Sequence, residues 1–92
     1  MNIKDFHVGD EVITVINEGD YVNGRRKDTI RKEKVISVGH KYVQVTRFGE
    51  ERFIDKFSAK DYFPYGLVEV VNIGSPAYLF KSIEDYNNYI EY

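Results

Sequence analysis

The stretch Lys34-Val35-Ile36-Ser37-Val38-Gly39-His40-Lys41-Tyr42-Val43-Gln44-Val45-Thr46-Arg47-Phe48 holds two β-branched runs on either side of one tight Gly39-His40 turn. Val, Ile and Thr fit a pleated, half-buried surface better than a helix. Side chains alternate along a strand, so Tyr42, Gln44, Thr46 and Phe48 share one face while Val43 and Val45 share the other. The pattern predicts an antiparallel hairpin. Upstream, Glu11-Val12-Ile13-Thr14-Val15-Ile16 follows the Gly9-Asp10 turn and reads as a mostly buried strand. Downstream, Gly49-Glu50-Glu51 turns the chain into Arg52-Phe53-Ile54-Asp55-Lys56-Phe57, a further strand of the meander.

The remainder completes the same architecture. Ser58 to Gly66 is aromatic but broken by Asp61, Pro64 and Gly66, which predicts an irregular segment over a barrel opening. Leu67 to Ile73 and Ala77 to Lys81 read as two more strands around Gly74-Ser75-Pro76. The period then changes: Ile83, Tyr86, Tyr89 and Ile90 fall on one helical face, and Ser82-Ile83-Glu84-Asp85 resembles a capping box with Asp in place of Glu. The expected fold is mainly β, a small SH3-like antiparallel barrel of five to six strands with a C-terminal helix over 82–91, all in one domain spanning 1–92.

Composition bounds the function. The 92 residues suit one core, and 14 aromatics (8 Tyr, 6 Phe) supply its bulk. Phe6, Tyr42, Phe53, Phe57, Tyr78 and Phe80 are expected inside, whereas Tyr21, Tyr62, Tyr65 and Tyr92 are expected on the surface. With no Cys there is no disulfide framework and no thiolate chemistry. No apolar stretch is long enough to span a membrane, so a cytoplasmic location is expected.

Recognisable active-site chemistry is missing. The glycines stand singly and form neither a P-loop nor a dinucleotide-binding fingerprint. His7 and His40 are remote from each other, which argues against a metal site, and the oxygen-rich Asn17-to-Gly24 segment lacks calcium-loop spacing. Ser37 and His40 flank a turn without a nucleophile elbow, while the adjacent acids Glu50-Glu51 and Glu84-Asp85 fit a solvated turn and a helix first turn. A non-enzymatic protein without cofactor or metal is expected.

Binding remains, and the charge is unevenly placed. Net charge is −2, yet residues 25–34 (Arg-Arg-Lys-Asp-Thr-Ile-Arg-Lys-Glu-Lys) carry six bases and two acids, whereas residues 47–92 carry five bases and eight acids. A long, partly exposed hairpin connection is expected to continue into the basic run, with the strand pattern returning from Ile30, so that the stretch from Asn17 to Lys34 is presented for contact. Phe48, Tyr62, Phe63 and Tyr65 with Arg47 and Arg52 offer an aromatic-and-arginine surface. The candidate contact residues are Tyr21, Arg25, Arg26, Lys27, Arg31, Lys32, Tyr62, Tyr65, Glu84 and Asp85, for a protein partner or, through the basic run, for nucleic acid. The abundance of Tyr and the low net charge permit a homodimer.

Phe6-His7-Val8-Gly9-Asp10-Glu11-Val12 resembles the first strand of KOW and related SH3-like barrels, domains that often contact RNA or protein. The order of the Lys34-to-Val45 hairpin, Arg52-Phe53, Tyr78-Leu79-Phe80 and an acidic Tyr-bearing helix is similar to small β-barrel proteins encoded by bacteriophages of AT-rich Gram-positive bacteria. The nine Ile, eight Lys and six Asn against two Ala and two Pro agree with such a genome. That resemblance implies a fold and a phage setting without a catalytic residue to carry over, and in such a setting the economical expectation is a protein that binds and inhibits a host defence or regulatory protein. The basic hairpin before Val35 departs from the KOW pattern and argues against ribosomal-type RNA binding.

Overall fold

The computed structural model describes residues 2–17, 28–71 and 74–91. Its strands are β1 (Glu11–Asn17), β2 (Asp28–Val38), β3 (Val43–Arg47), β4 (Glu50–Ser58), β5 (Leu67–Glu69) and β6 (Tyr78–Phe80), followed by helix α1 (Ile83–Ile90). Each strand pairs antiparallel with the next and β6 returns to β1, closing a six-stranded barrel. Closure leaves the short strands no continuous free edge.

Two hydrophobic clusters explain why Val12 to Val15 are buried without alternation. Val12 lies inside the barrel with Val35, Val43, Val45, Phe57, Leu67 and Leu79. Its neighbours Ile13 and Val15 face outward and pack with Val68, Phe80, Phe63 and Tyr86. The wall made by β1, β5 and β6 is therefore covered on both faces, and α1 with the segment around Phe63 forms the outer cover. That segment lies against this wall rather than over a barrel opening, because Phe63 stacks on Tyr78 at 4.5 Å and meets Phe80 and Tyr89 edge-on.

Local chemistry sets the boundaries. The Ser82 hydroxyl accepts the Asp85 amide at 3.2 Å and donates to the Asp85 carboxylate at 3.1 Å, fixing the start of α1. The Tyr86 hydroxyl donates to Asp28 at 2.7 Å, which ties the helix to the beginning of β2. Gly66 is required by packing: a Cβ built there would sit 2.2 Å from the Leu79 carbonyl oxygen.

Three expectations are corrected. Residues 28–34 belong to β2 and pair with β1 from Glu11↔Lys34 to Asn17↔Asp28, so the strand expected from Ile30 begins at Asp28, and Arg31, Lys32 and Lys34 lie in sheet rather than in a presenting loop. Tyr42 and Phe53 are exposed rather than interior. Tyr42 precedes Val43 and takes the opposite face, while Phe53 lies where the β3–β4 register shifts from Thr46↔Ile54 to Arg47↔Glu50 and alternation fails. Tyr65 is half-buried in the outer cluster instead of free on the surface, with its ring 5.4 Å from that of Tyr89. Among the described residues no helix is long and apolar enough to cross a membrane.

Candidate interaction site

The connection between β3 and β4 consists of Phe48 and Gly49, and both have positive φ, 54° and 75°. A two-residue hairpin loop of this hand matches strand twist, but it favours Asn or Gly in the first position because a Cβ is crowded there. A bulky Phe in that conformation is an outlier that persists only when its surroundings impose it. Here they do.

The imposing group is Glu33, only 4% exposed, which stands two residues before Val35 and so shares its inward face. One carboxylate oxygen accepts the Phe48 amide at 2.9 Å, and the other accepts the Gly49 amide at 2.8 Å and the Thr46 hydroxyl at 3.0 Å. Arg31 Nε lies 3.5 Å from Glu33, an ion-pair separation without hydrogen-bond geometry. A charge-assisted bond to each turn amide gives the carboxylate the partners that burial demands and holds the turn in its left-handed form.

Asp55 extends the ionic cluster. It shares the inward face of Phe57, accepts hydrogen bonds from Nε of Arg47 at 3.0 Å and from its Nη2, and lies 3.9 Å from Arg31 Nη2. The hydrogen bond and charge of Asp55 raise the Arg47 guanidinium above its ordinary value, so it stays cationic at every pH the protein meets. Glu33 and Asp55 are thus buried carboxylates in inward positions, and their guanidinium partners Arg31 and Arg47 reach them from partly exposed positions. Buried ion pairs are weak sources of net stability, and their strict geometry serves to fix position.

What the cluster positions is an exposed pair of aromatic rings. Phe48 is 73% exposed, with the Arg31 guanidinium 4.3 Å above its ring. Phe53 is also exposed, with Arg52 at 5.0 Å, and Arg52 bonds Glu50 at 2.8 Å. Beside the turn opens a cleft of about 300 Å³ whose lining includes Lys32, Lys34, Gly49 and Glu51. Lys32 and Lys34 project outward from β2, opposite to Arg31 and Glu33.

The expected contact residues separate into three groups. Tyr21, Arg25, Arg26 and Lys27 lie outside the described residues. Arg31 and Lys32 are both at the tip, but strand alternation divides them: Arg31 turns to the carboxylates, and only Lys32 remains a solvent-facing cation. Tyr62, Tyr65, Glu84 and Asp85 belong to the segment and helix that cover β1, β5 and β6, away from the tip; Tyr62 and Glu84 are exposed there, and Asp85 is engaged with Ser82. Of the aromatic-and-arginine set, Phe48, Arg47 and Arg52 come together, while Phe63 is buried elsewhere. Glu33 escapes a count of charges along 25–34. Its signal is position, an acid in the inward register of a strand.

No protein family, curated protein or solved structure matches this chain, so its function is read from its own geometry.

Proposed function

We propose that this chain is a protein-interaction module whose contact centre is the β3–β4 tip, with Phe48 as the anchor and Arg47, Arg52 and Phe53 around it. The observation that carries the reading is the combination at Phe48: a large apolar ring kept in water, on backbone that disfavours it, by a buried carboxylate. Apart from the Arg31 guanidinium over one face, the ring has little packing to justify that arrangement. Aromatic and Arg side chains that are held rigid before binding lose little freedom on association, which is why they dominate interface energetics. In the phage setting that the resemblance implies, the partner is a host defence or regulatory protein and binding inhibits it.

A nucleic-acid ligand for the basic run is less favoured, because Arg31 is already committed to Glu33 and Asp55. The test is parallel capture with tagged wild-type protein and Phe48→Gly from a Gram-positive host lysate, each divided into nuclease-treated and untreated portions. Glycine keeps the turn and removes the ring. A protein retained by the wild type in both portions and lost with Phe48→Gly supports the proposal. Partners that disappear after nuclease, or that survive removal of the ring, refute it.

A further inference from the structure

The opposite end of β3 holds a second concave site, independent of the tip. The turn from Gly39 to Tyr42 is closed by the Gly39 amide on the Tyr42 carbonyl at 2.9 Å. It stands beside the chain as it leaves β4, and between them is a cleft of about 360 Å³ lined by Ile3, His40, Lys41, Tyr42, Ser58, Ala59 and Lys60. No carboxylate is in that lining. Among the described residues neither Lys41 nor Lys60 has an ion-pair partner. Lys56 adds a third ammonium next to it, 5.6 Å from the Tyr42 ring.

This sign is opposite to that of the chain as a whole, whose net charge is −2. Uncompensated cations around a concavity concentrate anions. A second, separate observation concerns Ser58, whose hydroxyl is buried and has no hydrogen-bond partner. Buried hydroxyls almost always find one, so an orphan in the wall of a cationic cleft is a donor awaiting a ligand.

We propose that this cleft binds a phosphoryl group. Lys41 and Lys60 supply the charge, and the Ser58 hydroxyl, after rotation about χ1, and the Tyr42 phenol donate to phosphoryl oxygens. The group comes either from a small phosphate-bearing molecule or from a nucleic-acid backbone, and the two sources are distinguished by the test. The full ¹⁵N-labelled chain is titrated at low salt with pyrophosphate and, separately, with a short oligothymidylate. The expected result is saturable amide shifts confined to residues 39–42 and 58–60. Lys41→Gln with Lys60→Gln weakens binding at least about tenfold and Ser58→Ala by about threefold or more, with the remaining spectrum unchanged. Both lysines are exposed, so the double variant keeps the fold. Tighter binding of the oligonucleotide than of pyrophosphate identifies a nucleic-acid backbone, and the reverse identifies a small phosphate-bearing molecule. Shifts spread over all lysines, or binding indifferent to the double variant, overturn the proposal.

Discussion

Glu33 and Phe48 are joined by a 2.9 Å hydrogen bond from the Phe48 amide to the Glu33 carboxylate, which locks the tip of one hairpin to the interior face of a neighbouring strand. Removing the carboxylate leaves two turn amides and the Thr46 hydroxyl without their acceptor and the Arg31 guanidinium without one of its two ion-pair partners. Glu33→Ala is therefore expected to lose about 3–5 kcal/mol of folding stability, the penalty for breaking a buried charge pair from one side. Glu33→Gln keeps one accepting oxygen and is expected to lose less. Urea unfolding measures both, and a loss below about 1 kcal/mol for Glu33→Ala would show that the clamp contributes nothing.

The turn itself makes an unusual prediction for an aromatic residue. Because Phe48 adopts a φ of 54° and its ring is in solvent, Phe48→Gly relieves strain without opening a cavity. Phe48→Ala keeps the crowded Cβ. The glycine variant is expected to be more stable than the alanine variant by about 1 kcal/mol, within the strain of a left-handed non-glycine residue. Thermal unfolding of the pair decides it: the reverse order would mean that the left-handed backbone carries no strain.

The strands, the C-terminal helix and its Ser82 cap are legible in the sequence because each rests on a local pattern, β-branched alternation or helical spacing. The tip is not. Phe48 is legible only as an exposed aromatic beside Arg47 and Arg52, without its left-handed backbone, while Phe53 looks like a core residue when alternation is extended through the hairpin, and what expels it is the register shift after Thr46, a property of how two strands meet. Glu33 is hidden for a related reason. Its neighbours Lys32 and Lys34 make it one acid in a basic run, and only closure of the barrel turns alternate residues of that run inward. Likewise the covering of β1 on both faces makes Ile13 and Val15 as buried as Val12, a tertiary effect that local periodicity does not contain.

A buried hydroxyl in β1 gives a prediction of the opposite sign to the usual core substitution. Thr14 is only 1% exposed, pairs across the ladder with Arg31, and its Oγ1 has no hydrogen-bond partner. An unsatisfied buried polar group costs about 1–3 kcal/mol. Valine has nearly the same shape and no group to satisfy, so Thr14→Val is expected to raise the unfolding free energy by about 1 kcal/mol. A destabilised variant in urea unfolding would mean that the hydroxyl has a partner in solution.

Gly66 provides the severest test of the barrel's packing. It immediately precedes β5, and an ideal Cβ there meets the Leu79 carbonyl oxygen at 2.2 Å, the Leu79 carbonyl carbon at 3.2 Å and the Phe80 ring at 3.3 Å. The obstacle is backbone, which rotamer changes cannot move. Strand β6 is also fixed on both sides, by β1 and by β5, and its Leu79 and Phe80 belong to the inner and outer clusters respectively. Any shift that admits a methyl group at Gly66 thus disturbs both clusters at once. Gly66→Ala is expected to lose about 3 kcal/mol or more, at the upper end of overpacking effects. Gly39→Ala is the control, since its Cβ would meet nothing nearer than the Tyr42 carbonyl at 3.7 Å, an ordinary contact. It is expected to change stability by no more than about 0.5 kcal/mol. Equal unfolding midpoints for the two variants would contradict the close approach of the chain at Gly66 to β6 on which the covered wall depends.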